Sequence, residues 1–146
     1  MTTSAPENTA YAVTQTRIYS ADIETVFNAL IDPETVKRWM YGPDTTVVDF
    51  VLQPEIGGRF FLLMRGQDRE WPHEGKITHF ERPNRLAYTW LSPSTQGRET
   101  HVDITLTAIE VGKTELVLVH TALPDTYAAF DQGWAELLVN LGVTLG

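Results

Sequence analysis

The chain has 146 residues, of which 42% are apolar and 21% charged, a composition typical of one folded domain of ordinary size. Its 19 acidic and 11 basic residues give a formal net charge of −8, which disfavours nucleic acid and anionic membranes as partners because both are negatively charged. The absence of cysteine excludes disulfides, a thiolate nucleophile, an iron–sulfur cluster and a cysteine-based zinc site.

The first ten residues, MTTSAPENTA, are small and polar and predict a flexible lead-in rather than a signal peptide. No apolar run approaches the roughly 18 residues that a membrane span needs. We therefore expect a cytoplasmic protein without membrane insertion. A single domain is expected over residues 11–146, because no repeat, linker or charge block interrupts the chain after the lead-in.

One strand and two helices are predicted next. Residues 11–19 alternate and are rich in β-branched and aromatic types, which is typical of a strand. Ser20 is the predicted N-cap of a helix whose apolar residues, spaced three and four apart, extend to Ile31. Asp32 followed by proline is a typical start for a second helix, and Gly42 followed by proline predicts its end.

From there to about residue 121 the apolar period is two, and short turns separate the segments. The predicted strands are Thr45–Leu52, Arg59–Gly66, Glu70–Phe80, Leu86–Leu91, His101–Ile109 and Thr114–Thr121. Connections this short favour antiparallel pairing of consecutive strands. Helical spacing returns near residues 125–145. The order β-α-α-β6-α predicts an α+β fold, in which a curved seven-stranded antiparallel sheet is covered by the last helix.

Several segments together carry a family resemblance. The stretch RIYSADIETVFNALIDPETVKRWMYGP resembles the opening of the START/Bet v 1-like (SRPBCC) helix-grip superfamily, in the branch similar to the C-terminal domain of the activator of Hsp90 ATPase. Later landmarks follow in the expected order: Gly57-Gly58-Arg59-Phe60, the hairpin from Gly75 through Pro83 to Trp90, the strand from Thr114 to His120, and Gly133-Trp134. The resemblance covers the chain from about Thr14 onward. It implies the helix-grip fold, with a cavity between the sheet and the last helix.

Two features depart from the family pattern. Gln53 and Glu55 stand where many relatives carry Asp and Arg, so a role for that pair is not carried over. The resemblance also implies a longer last helix than the few residues after Leu141 allow.

The resemblance and the strand alternation together predict which side chains line the cavity. Aromatic side chains dominate this set, and they suit a planar or ring-bearing ligand, although they would equally fill an ordinary core. The predicted cavity residues are Trp39, Phe60, Leu62, Met64, Trp71, His73, Tyr88, Trp90, His120, Phe130, Trp134 and Leu137.

Three of these residues are also candidates for acid–base chemistry. His73 and His120 fall on the inward face of their strands, where a neutral imidazole can move protons near neutral pH. Tyr88 could donate a hydrogen bond to a ligand carbonyl. For each of the three, a hydrogen bond within the core is the alternative interpretation.

No metal site and no cofactor are predicted. His101 and Asp103 have a spacing that can chelate a metal, but a third ligand is missing and their strand face is solvated. The chain also lacks a phosphate-binding loop, a nucleophile elbow and a zinc-protease motif.

Three functions remain open after these exclusions. The favoured one is binding of a small hydrophobic or aromatic molecule, since nothing amounts to a catalytic triad or a carboxylate pair. The alternative is an enzyme of the polyketide cyclase/dehydrase kind that uses a cavity histidine as acid or base. The third is partner binding like that of an Hsp90 co-chaperone, which the family resemblance implies. The chain could be a monomer or, by pairing of an exposed edge strand, a homodimer.

Overall fold

The computed structural model of the protein describes residues 12–121 and 124–146. The predicted lead-in over residues 1–10 and the first residue of the predicted first strand lie outside this range. The elements are β1 (Ala12–Tyr19), α1 (Ile23–Ile31), α2 (Pro33–Val36), β2 (Thr46–Leu52), β3 (Arg59–Arg65), β4 (Glu70–Glu81), β5 (Arg85–Trp90), β6 (Thr100–Glu110), β7 (Lys113–Thr121) and α3 (Tyr127–Leu145). This order confirms the predicted α+β helix-grip architecture.

The seven strands form one antiparallel sheet in the order β1-β7-β6-β5-β4-β3-β2. Consecutive strands from β2 to β7 are neighbours, and β1 closes the sheet beside β7, with Ala12 opposite Thr121 and Tyr19 opposite Thr114. The register shifts in the β2–β3, β4–β5 and β6–β7 pairs. Such irregularities bend and twist a sheet, so they help to give this one its curvature.

Helix α3 packs its apolar side onto the concave face of the sheet. Its buried residues are Trp134, Leu137, Leu138 and Leu141. Opposite them, burial follows the predicted alternation in the inward-facing residues Leu86, Tyr88, Trp90, Val102, Ile104, Leu106, Leu116, Leu118 and His120. The core therefore lies between one face of the sheet and one side of α3, as helix-on-sheet layering requires.

Polar contacts fix the position of α3 along its length. Near its first turns, Gln15 Nε2 donates to Asp131 Oδ1 at 2.8 Å. In its second half, the Tyr19 hydroxyl donates to the Leu138 carbonyl at 2.7 Å, and burial raises the pKa of Tyr19 to about 12, so the hydroxyl keeps its proton. Asn140 donates to two carbonyls in the segment after α2. Strand β1 and the α2 segment thus hold the helix from two sides.

The helix boundaries differ from the sequence prediction in two places. The helix α1 begins at Ile23, so its N-cap is Asp22 rather than Ser20. The carboxylate of Asp22 lies at the positive end of the helix dipole. Helix α2 ends at Val36, well before Gly42. Its predicted N-cap is confirmed, since Asp32 accepts a hydrogen bond from the backbone of Thr35 at 3.0 Å. Among the described residues, no helix combines the length and hydropathy needed to span a bilayer.

Candidate functional site

A cavity of about 340 Å³ lies between the first half of α3 and the concave face of the sheet. The sheet contributes Met64 from β3, His73 from β4 and Trp90 from β5. Among the residues of α3 that cover it are Ala129, Phe130, Gly133, Trp134 and Leu137. The volume is near the lower end of the range for small-molecule sites, and mostly apolar walls with a few polar groups are typical of them.

The predicted cavity residues divide into two groups. Those that line the cavity are Met64, His73, Trp90, Phe130, Trp134 and Leu137. Those that the structure places elsewhere are Trp39, Phe60, Leu62, Trp71, Tyr88 and His120. Whether any of them contacts a ligand stays a prediction. The two groups differ because side chains fill some parts of the concave face and leave another part open.

One region of the concave face is filled by aromatic packing. The rings of Phe60 and Tyr88 stack with their centroids 4.1 Å apart and their planes 14° apart. Burial raises the pKa of Tyr88, which keeps its hydroxyl neutral. Trp39 is buried and donates its Nε1–H to a carbonyl of α1 at 2.8 Å. Trp71 is half-buried, beneath the guanidinium of Arg69 at 3.8 Å. Phe60, Tyr88 and Trp39 therefore pack within the core, whereas Trp71 packs against Arg69 nearer the surface.

Trp90 is the centre of an aromatic cluster at the inner end of the cavity. Its ring centroid lies 4.8 Å from that of His73, 5.6 Å from those of His120 and Trp134, and 6.3 Å from that of Phe130. The planes are tilted or nearly perpendicular, at angles between 56° and 87°. Edge-to-face contacts of this kind are favourable and fix the ring orientations.

His120 has both ring nitrogens engaged and does not line the cavity. Its Nδ1 accepts from Trp134 Nε1 at 2.9 Å. An indole nitrogen only donates, so the proton of the neutral ring is on Nε2, which donates to Thr100 Oγ1 at 2.8 Å. That hydroxyl in turn donates to the Trp90 carbonyl at 2.9 Å. Burial, with a smaller effect from the charge of His101, lowers the pKa of His120 to about 3. The ring is therefore a neutral link between α3 and the sheet.

His73 differs from His120 in that one of its nitrogens has no hydrogen-bond partner among the described residues. Its Nδ1 lies 3.0 Å from the Leu62 carbonyl, and a carbonyl only accepts, so Nδ1 carries the proton of the neutral ring. Within the described part of the chain, no hydrogen bond to Nε2 is present. Burial lowers the pKa of His73 more than the carbonyls of Leu62 and Trp71 raise it. His73 thus offers a neutral acceptor nitrogen beside the cavity.

Trp90 also has a polar atom that is not satisfied. The side chain is only 4% exposed, and its Nε1–H has no hydrogen-bond acceptor among the residues that the structure describes. Buried donors are paired in most proteins, so each exception requires an explanation. The nitrogen atom itself is inaccessible to water, so it lies within the ring packing and does not face the cavity, although other atoms of Trp90 line it.

The rim of the cavity is polar. The loop after β5 contains a short 3-10 helix, Pro93–Thr95, and then Gln96 with φ 56° and ψ 40°, a left-handed conformation that is uncommon for residues other than glycine. Gln96 and Asp125 both line the cavity. Arg98 links the two residues, since its Nη2 donates to Gln96 Oε1 at 3.4 Å and to the two carboxylate oxygens of Asp125 at 2.9 Å and 3.1 Å.

Gly133 is a cavity residue that the sequence pattern did not identify as one. It lies in the interior of α3 and lines the cavity, and a Cβ placed on it would meet no atom within 4 Å. Glycine inside a helix costs about 1 kcal/mol relative to alanine. A glycine within an otherwise continuous helical pattern is the signal that could have drawn attention to this position.

The outer face of the sheet holds the His101 and Asp103 pair. His101 Nε2 lies 2.9 Å from Thr78 Oγ1, and Asp103 forms a two-pronged ion pair with Arg85 at 2.7 Å and 3.1 Å. Both side chains are therefore engaged by protein neighbours. Over residues 12–121 and 124–146, no cluster of three metal-binding side chains is present.

Residues 20–146 match the family model described as Activator of Hsp90 ATPase homolog 1-like protein. Among solved structures, a Rhodobacter sphaeroides protein is 24% identical, with a TM-score of 0.81 over 92% of this chain and 91% of that one. A Nitrosomonas europaea protein is 18% identical, with a TM-score of 0.80 over 93% and 95% of the two chains. CalU16 from Micromonospora echinospora is 24% identical, with a TM-score of 0.71 over 92% and 76%. A comparison with curated proteins found no match.

Proposed function

Because the chain belongs to the Activator of Hsp90 ATPase homolog 1-like family, whose helix-grip fold can enclose ligands, we propose that it binds a small hydrophobic or aromatic molecule in the cavity under α3. The cavity has the size and the apolar walls of a small-molecule site. Phe130 is partly exposed and supplies ring surface for a ligand, and the small accessible parts of Trp90 and Trp134 complete this wall.

The observation that carries the proposal is Gly133. A helix interior is normally more stable with alanine, and here alanine would meet no clash. Glycine leaves the space beside the helix open instead of filling it. A cavity kept open at a cost in helix stability is what a binding site requires and what simple core packing would avoid.

The test is an NMR titration of the ¹⁵N-labelled protein with naphthalene, a purely apolar ring probe. We expect saturable shifts of the Trp90 and Trp134 indole resonances. In Gly133→Leu the added side chain should fill the cavity and weaken naphthalene binding at least about tenfold. The free energy of unfolding of this variant should not fall, because leucine is a better helix former than glycine. Gln132→Leu adds the same side chain at an exposed position of α3 and serves as the matched control with unchanged affinity.

Two outcomes would contradict the proposal. One is an absence of saturable shifts in the wild-type protein. The other is equal naphthalene affinity in Gly133→Leu and wild type, which would mean that the probe binds elsewhere on the surface.

An enzyme of the polyketide cyclase/dehydrase kind is a second candidate, and one observation favours it. His73 lines the cavity, and its Nε2 forms no hydrogen bond with the residues that the structure describes, which leaves it available as a general base. His120 is less suited to this role because both of its nitrogens are hydrogen-bonded. His73→Gln should abolish turnover of a candidate substrate while its binding affinity stays the same. Unchanged turnover would exclude the enzyme function.

Other expectations stay predictions. Hsp90 binding follows from the family name alone, and a pull-down with an ATPase readout tests it. A cytoplasmic location is expected from the sequence. Strands β1 and β2 are the edges of the sheet, so a homodimer through strand pairing is one arrangement that light scattering would distinguish from a monomer.

A further inference from the structure

The charged side chains that line the cavity are acidic. Asp125 and Glu136 belong to its wall, and none of the described lining residues is a lysine or an arginine. An adjacent surface groove shares Glu136 with the cavity and adds a further carboxylate, Asp44. The described residues of this groove also include no lysine or arginine. The fixed charge on these walls is therefore negative.

Glu136 is the cavity carboxylate that lacks a protein cation. Arg98 Nη2 donates to both carboxylate oxygens of Asp125, at 2.9 Å and 3.1 Å, and so offsets the charge of Asp125. Glu136 forms no ion pair in the described part of the chain. Its side chain accepts a long hydrogen bond, at 3.5 Å, from the neutral amide of Gln132. The charge of the half-buried Glu136 is thus available to a ligand.

His73 adds an open acceptor atom to the same cavity. Its Nδ1 donates to the Leu62 carbonyl at 3.0 Å, which leaves the proton-free Nε2 as an acceptor. The residue is only 6% exposed, and Nε2 has no partner among the described residues. Unlike Trp90 Nε1, however, this nitrogen is not closed to a water-sized atom. Because His73 lines the cavity, a hydrogen-bond donor of a ligand can reach Nε2 there.

The exposed ring surface of the cavity also has no protein cation on it. Phe130 is partly exposed and lines the cavity. The cation–π contacts within the described chain lie elsewhere, on the rings of Phe27, Phe61 and Trp71. An aromatic face attracts a cation that lies within about 6 Å of the ring centroid, and the attraction is stronger where water is excluded. Phe130 therefore offers ring surface to a ligand cation.

On the basis of the proposed function, we propose that the cavity selects ring compounds that carry a positively charged amino group. The ring of the ligand packs against the apolar wall, and its ammonium group is attracted by the charge of Glu136. Coulomb attraction acts over several ångströms, so it needs no direct contact with this carboxylate. An ammonium group has three donors and no acceptor, which complements the open acceptor atoms of His73 and Glu136. A carboxylate ligand would instead meet like charge and lose its hydration.

The experiment compares four probes of one ring system by NMR titration at pH 7. They are naphthalene, 2-naphthylmethanol, 2-naphthoate and 2-naphthylmethylamine, which is protonated at this pH. The amine and the alcohol have the same shape and differ in charge. We expect the amine to bind about fivefold more tightly than the alcohol or better, and 2-naphthoate to bind most weakly of these three. About 1 M sodium chloride should reduce the preference for the amine, because salt screens the charge of Glu136.

A matched pair of variants locates the effect. Glu136→Gln keeps the size of the side chain and removes its charge, so the preference for the amine over the alcohol should fall to about twofold or less. Glu115→Gln makes the same change in β7, at a side chain that does not line the cavity. It alters the net charge of the protein equally and should leave the preference intact. Each variant is judged by the ratio of the two affinities, so a general effect on the cavity cancels.

The outcomes separate this inference from the proposed function. If the alcohol binds as tightly as the amine, the charge selectivity is overturned, and binding of naphthalene in the cavity still stands. A preference that survives Glu136→Gln would overturn the selectivity as well. So would an equal loss in both variants, because the attraction would then come from the overall net charge of −8. If none of the four probes binds, the proposed function and the inference fail together.

Discussion

His120 should make the protein less stable in mild acid, and the size of this effect can be worked out. In an unfolded chain a histidine has a pKa of about 6.5, whereas burial lowers the pKa of folded His120 to about 3. Between these values the unfolded chain binds a proton that the folded protein does not bind. Stability therefore falls as the pH drops below 6.5, and this loss is complete near pH 3.

The expected magnitude follows from about 1.4 kcal/mol per pH unit. Between pH 7 and pH 5 the His120 contribution to the free energy of unfolding should fall by about 2 kcal/mol. Burial also lowers the pKa of His73, which acts in the same direction. A variant that removes only the His120 ring is needed to separate the two.

The assay is urea unfolding of the wild type and of His120→Gln at pH 7 and pH 5. The variant should be less stable at pH 7 by about 1–3 kcal/mol, because a flexible amide replaces a packed ring that binds Trp134 and Thr100 at the same time. Its loss between pH 7 and pH 5 should be about 2 kcal/mol smaller than that of the wild type. Trp134→Phe breaks the same hydrogen bond but keeps the imidazole, so it should retain most of the wild-type pH dependence.

NMR of the wild-type protein gives a second measurement that needs no variant. The ring resonances of His120 should stay constant from pH 7 to pH 5, with the proton on Nε2 and none on Nδ1. A His120 ring that titrates between pH 5 and pH 7 would refute the reasoning. So would equal pH dependence of unfolding in the wild type and His120→Gln.

Three further predictions concern residues that support or border the cavity. Tyr19→Phe should lower the free energy of unfolding by about 1 kcal/mol in urea titrations, because it removes the buried hydroxyl that anchors α3; no change would mean that this bond adds nothing. Gly75→Ala should destabilise strongly or prevent folding, since a Cβ would overlap the Thr89 carbonyl, and a wild-type melting temperature would contradict this. Arg98→Gln should speed naphthalene dissociation by about two- to fivefold, because its exposed pair with Asp125 lies beside the cavity; an unchanged rate in NMR line-shape analysis would exclude that role.

The fold could be predicted because its signals are local and repeated. Alternation in β6 and β7 places Val102, Ile104, Leu116 and Leu118 on one face, and all four are buried. Turn residues between segments predicted the antiparallel order from β2 to β7. The family match over residues 20–146 confirms the resemblance that the ordered motifs indicated.

The shape of the cavity could not be predicted in the same way. Alternation shows which face a side chain occupies, but not whether that part of the face is filled. Phe60 and Tyr88 satisfy the same pattern as Trp90, yet they stack on each other and do not line the cavity. Likewise, His73 and His120 are equivalent in the strand pattern. Only the donors and acceptors around each ring decide which of them keeps a free nitrogen.

The two halves of helix α3 have different surroundings. Its second half carries Leu138 and Leu141, which are buried in the core, and receives the Tyr19 and Asn140 hydrogen bonds. Its first half contains Gly133 and covers open space. A substitution at Gly133 can therefore change the cavity while the contacts of Leu138 and Leu141 stay in place.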